Sequence, residues 1–143
     1  MFIGQHARKL DGNYRFKLPG SYIDILKTGA AEPRSMLFAP GEAMRIYSDK
    51  GYQALVEAIS AQPDNANSRA LLRSVISRSE RVTFSRLGKA RIPQQFVEFF
   101  GIERGGQVML IGCYDYFEIW DWARWQKTNE GVAVPAVDFE TAE

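Results

Sequence analysis

The feature that most constrains this chain is a repeat. The stretch Leu10-Asp11-Gly12-Asn13-Tyr14-Arg15-Phe16-Lys17-Leu18-Pro19, running on to Leu26, recurs in character as Phe84-Ser85-Arg86-Leu87-Gly88-Lys89-Ala90-Arg91-Ile92-Pro93, running on to Phe100. Arg15 falls on Lys89, Lys17 on Arg91, and Leu18-Pro19 on Ile92-Pro93. Tyr22-Ile23-Asp24-Ile25-Leu26 falls on Phe96-Val97-Glu98-Phe99-Phe100. After a one-residue gap, Leu37-Phe38-Ala39-Pro40 meets Leu110-Ile111-Gly112-Cys113, and Met44-Arg45-Ile46-Tyr47-Ser48 meets Phe117-Glu118-Ile119-Trp120-Asp121. A repeat of this length fixes the architecture to two units of one plan. Two such units in one chain predict an internal pseudo-two-fold axis.

Each unit reads in the same order. A turn rich in Asp, Gly, Asn or Ser leads to a short strand carrying two bases, then a proline that suits the first turn of a helix. Residues 7–18 read as a hairpin with Asp11-Gly12-Asn13 as its turn, and Phe2-Ile3-Gly4 as a short opening strand. Met36–Ala39, Met44–Tyr47, Val82–Phe84, Lys89–Ile92, Val108–Ile111 and Phe117–Trp120 read as strands. Thr28-Gly29 and Gly101 read as helix stops. Between the units, Tyr52, Leu55, Val56 and Ile59 follow helical spacing after a Ser48 cap. Leu71, Leu72, Val75 and Ile76 follow it again after a Ser68 cap. Asp121 caps a last helix bearing Trp122 and Trp125. The organisation expected is a first module over 5–50, a helical connector over 51–78, a second module over 79–124, and an acidic, mobile tail over 128–143.

The net charge of +1 conceals a segregation. From Arg69 to Arg91 there are seven bases against one acid, and from Glu103 to Glu143 three bases against eight acids. The bases cluster on the turn-and-strand part of each unit, which predicts one basic face. On a strand, Arg15 and Lys17 project to one side, and so do Lys89 and Arg91. A two-stranded ribbon with bases on one face fits a DNA major groove. Arg8, Lys9, Arg86, Lys89 and Arg91 are expected to add phosphate contacts to those of Arg15 and Lys17. The competing reading is that these bases pair with Asp11, Asp24 and Glu98 on the surface.

Other chemistry finds little support in the sequence. One histidine, His6, and one cysteine, Cys113, exclude a His/Cys metal cluster of the usual spacing and any intrachain disulfide. Gly88-Lys89 lacks the glycines of a phosphate loop. Asp115, Glu118 and Asp121 alternate across a strand and read as a solvated edge. The aromatic run Tyr114, Tyr116, Phe117, Trp120, Trp122, Trp125 reads as core or subunit contact ahead of base stacking, because it lies in the acidic part of the chain. No catalysis, no cofactor, no membrane and no small-molecule substrate are expected. The lone thiol and the lack of a leader-like N-terminus fit a cytoplasmic protein.

Over residues 1–127 the sequence resembles the MraZ family of bacterial transcriptional regulators, which carry two tandem SpoVT/AbrB-type swapped-hairpin modules. The carriers are Met1-Phe2-Ile3-Gly4, the D-x-x-x-R pattern of Asp11 to Arg15, Leu18-Pro19, Ser68 to Arg73, Ile92-Pro93, and Phe117-Glu118-Ile119-Trp120-Asp121 followed by Trp125. The resemblance implies a β-rich α+β fold of two AbrB-like β-barrel modules with pseudo-two-fold symmetry and peripheral helices. It implies sequence-directed binding of double-stranded DNA by a ring-like homo-oligomer, at repeated sites upstream of division and cell-wall genes, in the nucleoid. By that likeness Asp11 braces the turn and Arg15 reaches the DNA. The chain departs from the pattern at Tyr14, where the family has glycine, and at Ser85 and Lys89, where it has aspartate and arginine. Lysine lacks the arginine fork, so the first copy is expected to discriminate sequence and the second to hold phosphate. The alternative is a non-catalytic interaction module of antitoxin-like type, with the tail and the aromatic run as its contact surface.

Overall fold

A computed structural model describes residues 1–27, 34–129 and 140–141. Nine strands and five helices occur among them: β1 (Gln5–Lys9), β2 (Arg15–Lys17), α1 (Gly20–Lys27), β3 (Arg34–Phe38), β4 (Met44–Ser48), α2 (Asp49–Ser60), α3 (Ala66–Ser77), β5 (Ser79–Thr83), β6 (Lys89–Arg91), α4 (Gln94–Phe100), β7 (Gln107–Gly112), β8 (Phe117–Asp121), α5 (Trp122–Thr128) and β9 (Glu140–Thr141). Seven strands form one sheet in the order β5-β3-β4-β8-β7-β1-β9, antiparallel except where β9 joins β1. The remaining two, β2 and β6, pair with each other in a second sheet, and Ala90 of β6 also bridges Phe84 across its own turn. The fold is thus the expected β-rich α+β. The expected β-barrels are not: the described strands form an open sheet with β5 and β9 at its ends, plus a separate ribbon. Strands of three residues, stopped by Leu18-Pro19 and Ile92-Pro93, are too short to close a sheet around.

The registers carry the repeat into three dimensions. Gln5 pairs with Ile111, and the same positions of the other unit, Ser79 and Phe38, pair likewise. Ser35 pairs with Ser48 as Val108 pairs with Asp121. At two places a residue meets its own counterpart: Phe16 opposite Ala90 in the ribbon, and Arg45 opposite Glu118 where β4 meets β8. A two-fold relation between the units runs through those two pairs. Residues 7–18 are therefore not a self-paired hairpin. The turn at Asp11 forms, but β1 pairs with β7 and β2 with β6, so both arms bind the other unit.

Packing follows the same plan. One core joins Leu10, Phe16, Leu18, Tyr22 and Leu26 of the first unit to Ala90, Ile92, Phe96, Val97 and Phe100 of the second, with β4, β7 and β8 beneath. Neither unit could bury this surface alone. A smaller cluster of Phe38, Tyr47, Ile59 and Val75 seats the α2–α3 pair on the sheet. Trp120 packs edge-to-face on Trp125 at 5.4 Å beside Ala7 and Met109, so that part of the aromatic run is core. Ser48 caps α2 through its Oγ, which accepts from Gly51 N–H at 3.0 Å. The cap of α3 is Asn65, not Ser68: the two close a reciprocal capping box, with Ser68 at its third position. Gly101 ends α4 at φ 63°, and Asp121 caps α5. Phe2 makes a single bridge to Tyr114, and the first strand begins only at Gln5. The helix stop at Thr28-Gly29 lies outside the described residues, as does most of the tail, of which Glu140–Thr141 lie parallel to Arg8–Lys9. No helix among the described residues is long and apolar enough to cross a membrane.

Candidate nucleic-acid interface

The ribbon begins with the alternation of two three-residue strands. Phe16 and Ala90 point into the core and are 1% and 0% exposed. Their neighbours therefore point outward. Arg15 stands opposite Arg91, and Lys17 opposite Lys89. Four bases from two distant stretches occupy one side of one ribbon, with directly opposed Cβ atoms about 5 Å apart. Arg15 has a counterion in Asp11, Nε to Oδ2 at 2.7 Å. Among the described residues Lys17, Lys89 and Arg91 have no carboxylate within ion-pair distance. Surface pairing with Asp11, Asp24 and Glu98 thus accounts for one base of the four.

A turn closes each end. In the first, Asp11 Oδ1 accepts from the N–H groups of Asn13 and Arg15 at 2.8 and 3.0 Å, while Asp11 N–H donates to Arg15 O at 3.0 Å. Burial tends to raise the Asp11 carboxyl pKa. The Arg15 and Asn13 backbone donors and the Arg15 guanidinium outweigh it and hold the group below its ordinary value. In the second turn Ser85 takes the same part: its Oγ accepts from Lys89 N–H at 3.1 Å, and its own N–H donates to Lys89 O at 2.9 Å. Tyr14 and Gly88 occupy one position of the repeat, and both adopt positive φ, 59° and 76°. Each carbonyl there accepts from the other unit, Tyr14 O from Ile92 N–H and Gly88 O from Leu18 N–H. The turns and the ribbon are one cross-linked surface.

Of the remaining predicted bases, Arg86 is exposed in the second turn. Lys9 is exposed at the end of β1, beside the first turn rather than in the ribbon. Arg8 is elsewhere. It is 7% exposed, and its guanidinium donates to Lys17 O at 2.7 Å and to Ala7 O at 2.9 Å. Its place is beneath β2, holding the strand, and not on the outward face. The repeat carried the signal for this, since the counterpart of Arg8 is Val82, which is also buried.

No group of three or more His, Cys, Asp and Glu side chains able to hold a metal ion occurs among the described residues. His6 packs edge-to-face on Tyr22 at 5.2 Å as part of the scaffold. Glu118 accepts from Trp120 Nε1 at 3.2 Å, so the Asp115, Glu118, Asp121 series is not a fully solvated edge.

Fold and surface together define a two-fold-repeated α+β protein that presents a basic two-stranded ribbon. No family model matches the chain. It is 28% identical over 127 residues to a transcriptional regulator MraZ of Roseiflexus sp. (strain RS-1), covering 88% of this chain and 85% of that one. It is 27% identical to the transcriptional regulator MraZ of Mycobacterium sp. (strain KMS), covering 91% and 87%. It is 28% identical to that of Azoarcus sp. (strain BH72), covering 92% and 88%. These relatives bear out the resemblance to the MraZ family carried by the sequence.

Proposed function

We propose that the chain is a transcriptional regulator that binds double-stranded DNA sequence-specifically through the β2–β6 ribbon. The observation that carries this reading is the convergence of Arg15, Lys17, Lys89 and Arg91 on one side of one ribbon. Four like charges placed together have no structural purpose that apolar or mixed residues would not serve better. A polyanion neutralises them, and a two-stranded ribbon is of a width the major groove admits. Arg15, fixed by Asp11, is the base reader, since a guanidinium can meet guanine O6 and N7 together. Lys17, Lys89 and Arg91 hold phosphates, with Arg86 and Lys9 at the flanks. The relatives' printed names support the same role.

In the finer reading, residues 5–50 and 79–124 are swapped-hairpin modules joined by the connector 51–78. Copies of the chain form a ring, so that several ribbons engage repeated sites and gain affinity by effective concentration. The sites lie upstream of cell-division and cell-wall genes. The protein is non-catalytic and acts in the cytoplasm on the nucleoid.

The test is fluorescence anisotropy on duplex DNA from upstream of the protein's own gene, beside random duplex, across a salt series. Binding should prefer the cognate duplex, weaken with salt by about 0.9 log units per phosphate contact and log unit of salt, and collapse in Arg15→Ala. Lys89→Ala should weaken both duplexes alike. Equal, salt-insensitive binding to both, unchanged in the variants, would make the ribbon scaffold.

A further inference from the structure

The two ends of the ribbon are not chemically alike. The pairing Arg15↔Arg91 and Lys17↔Lys89 puts the Asp11–Tyr14 turn at one end and the Ser85–Gly88 turn at the other. At the first tip stands Asn13, whose N–H is engaged by Asp11 Oδ1. At the same position of the second tip stands Leu87, 74% exposed, the most exposed large apolar side chain described. Exposed Arg86 precedes it, and Lys89 follows two residues on. A single exposed leucine ordinarily needs no explanation. This one sits between the bases of a surface otherwise built for an anion.

The second tip is also fixed in place. Gly88 N–H donates to Ser85 O at 2.9 Å, and Gly88 O accepts from Leu18 N–H at 2.8 Å. Gly88 lies so close to α1 that a Cβ on it would stand 2.4 Å from Ile23 Cδ1. Leu87 is thus held at the apex of a turn clamped to the other unit. Its side chain is exposed at the same end of the ribbon as Lys17 and Lys89. In the major groove the one apolar handle on a base pair is the thymine C5-methyl, which side chains such as Ala, Thr and Phe recognise by contact.

We propose that Leu87 is a specificity residue that reads a thymine methyl at one end of each ribbon's binding site. Asn13 at the other tip makes no such contact, so each ribbon imposes a direction on its site. The proposal rests on the DNA-binding reading above and adds a base identity to it.

The experiment uses the full-length protein and the duplex that it footprints upstream of its own gene. Each thymine of the site is replaced in turn by deoxyuridine, which removes the C5-methyl and keeps the hydrogen-bonding edge. The wild type should lose about threefold to fivefold in affinity at one thymine per ribbon site, the weight of one buried methyl. It should lose little at the others. Leu87→Asn, which copies the first tip, should bind the thymine and deoxyuridine duplexes equally at that position. Its salt dependence should stay that of the wild type. A wild type that binds specifically yet is indifferent to every replacement overturns the Leu87 assignment alone. So does a loss at some thymine that persists unchanged in Leu87→Asn. Wild-type binding that ignores sequence and salt overturns the DNA reading itself. A Leu87→Asn variant with unaltered DNA binding but altered self-association would assign the tip to a protein contact and overturn the proposal.

Discussion

Arg15 and Arg91 stand directly opposite each other across the β2–β6 ribbon, and among the described residues Arg15 alone of the two has a carboxylate beside it. Like charges so placed destabilise a strand pair by an amount within the ~0.2–1 kcal/mol range of cross-strand pairs. The ribbon tolerates the repulsion because Phe16 and Ala90 anchor its underside in the shared core. Such an arrangement fits the proposed DNA contact, in which a polyanion would offset the repulsion.

Arg91→Gln should therefore leave the protein as stable or raise its stability by up to about 1 kcal/mol, since it removes the like-charged neighbour of Arg15. The same variant should bind DNA more weakly, with the slope of log affinity against log salt shallower by about 0.9. Thermal melts and an anisotropy salt series check both halves. A destabilised variant with an unchanged slope would place Arg91 in the scaffold.

Asp11 links the first turn to pH. Burial opposes its charge, but three donors from Arg15 and Asn13 keep its pKa below the ordinary 3.8. A carboxyl whose pKa is lower folded than unfolded stabilises the fold fully above its unfolded value. That contribution fades as pH falls through the folded value. Against Asp11→Ala, the wild type should be more stable by roughly 1–3 kcal/mol at neutral pH. The difference should shrink as pH falls below 3.8. Urea titrations of both proteins at stepped pH measure it. A gap that stays constant through that range would show that the Asp11 charge adds nothing to the turn.

Tyr22 gives the opposite limb. It is 0% exposed, its hydroxyl donates to Ile3 O at 2.8 Å, and Phe2 meets its ring edge-on at 5.0 Å. Burial, with a lesser push from Cys113 and a small opposing pull from Arg8, raises its pKa from 10.0 to about 12. An acid held protonated in the folded state stabilises fully below its unfolded pKa and loses that contribution as pH climbs through the folded one. Tyr22→Phe should lose stability at neutral pH through the broken hydrogen bond, by roughly 0.5–1.5 kcal/mol. Between pH 10 and 12 the wild type should lose stability and the variant should not, from this group. Chemical denaturation at stepped alkaline pH, with tyrosinate absorbance as a second readout, tests it.

The repeat made most of this legible in advance. The turn–strand–proline–helix order and the matching strand registers of the two stretches follow from it. Local chemistry was equally readable where one residue decides it, as at the Ser48 and Asp121 caps and the Gly101 stop. What failed needed pairing partners. A turn such as Asp11-Gly12-Asn13 looks the same whether its arms pair with each other or with distant strands, and only the topology separates the cases. Closed barrels were expected from the family likeness; the described strands form an open sheet and a ribbon. At α3, Asn65 and Ser68 are both good caps, and their reciprocal bonds chose the earlier one. Arg8 reads as surface in the sequence because it is charged and near a turn; the structure buries it, as it buries its counterpart Val82.

Arg8 separates scaffold from interface. Its guanidinium is buried and donates to Lys17 O from below, while the Lys17 side chain leaves the other side of the same strand. Arg8→Ala removes a charged donor from the carbonyls of Lys17 and Ala7, which should cost roughly 1.5–3 kcal/mol of stability. DNA affinity should fall at every salt concentration in parallel, because the ribbon is less well held while its phosphate contacts are unchanged in number. Lys17→Ala should do the reverse: stability within about 0.5 kcal/mol of wild type, and a salt slope shallower by about 0.9. Melting curves and salt series on the two variants give four readouts. If Arg8→Ala instead lowers the salt slope and leaves the melting temperature untouched, its guanidinium reaches phosphate on the bound protein, and β2 must shift to release it.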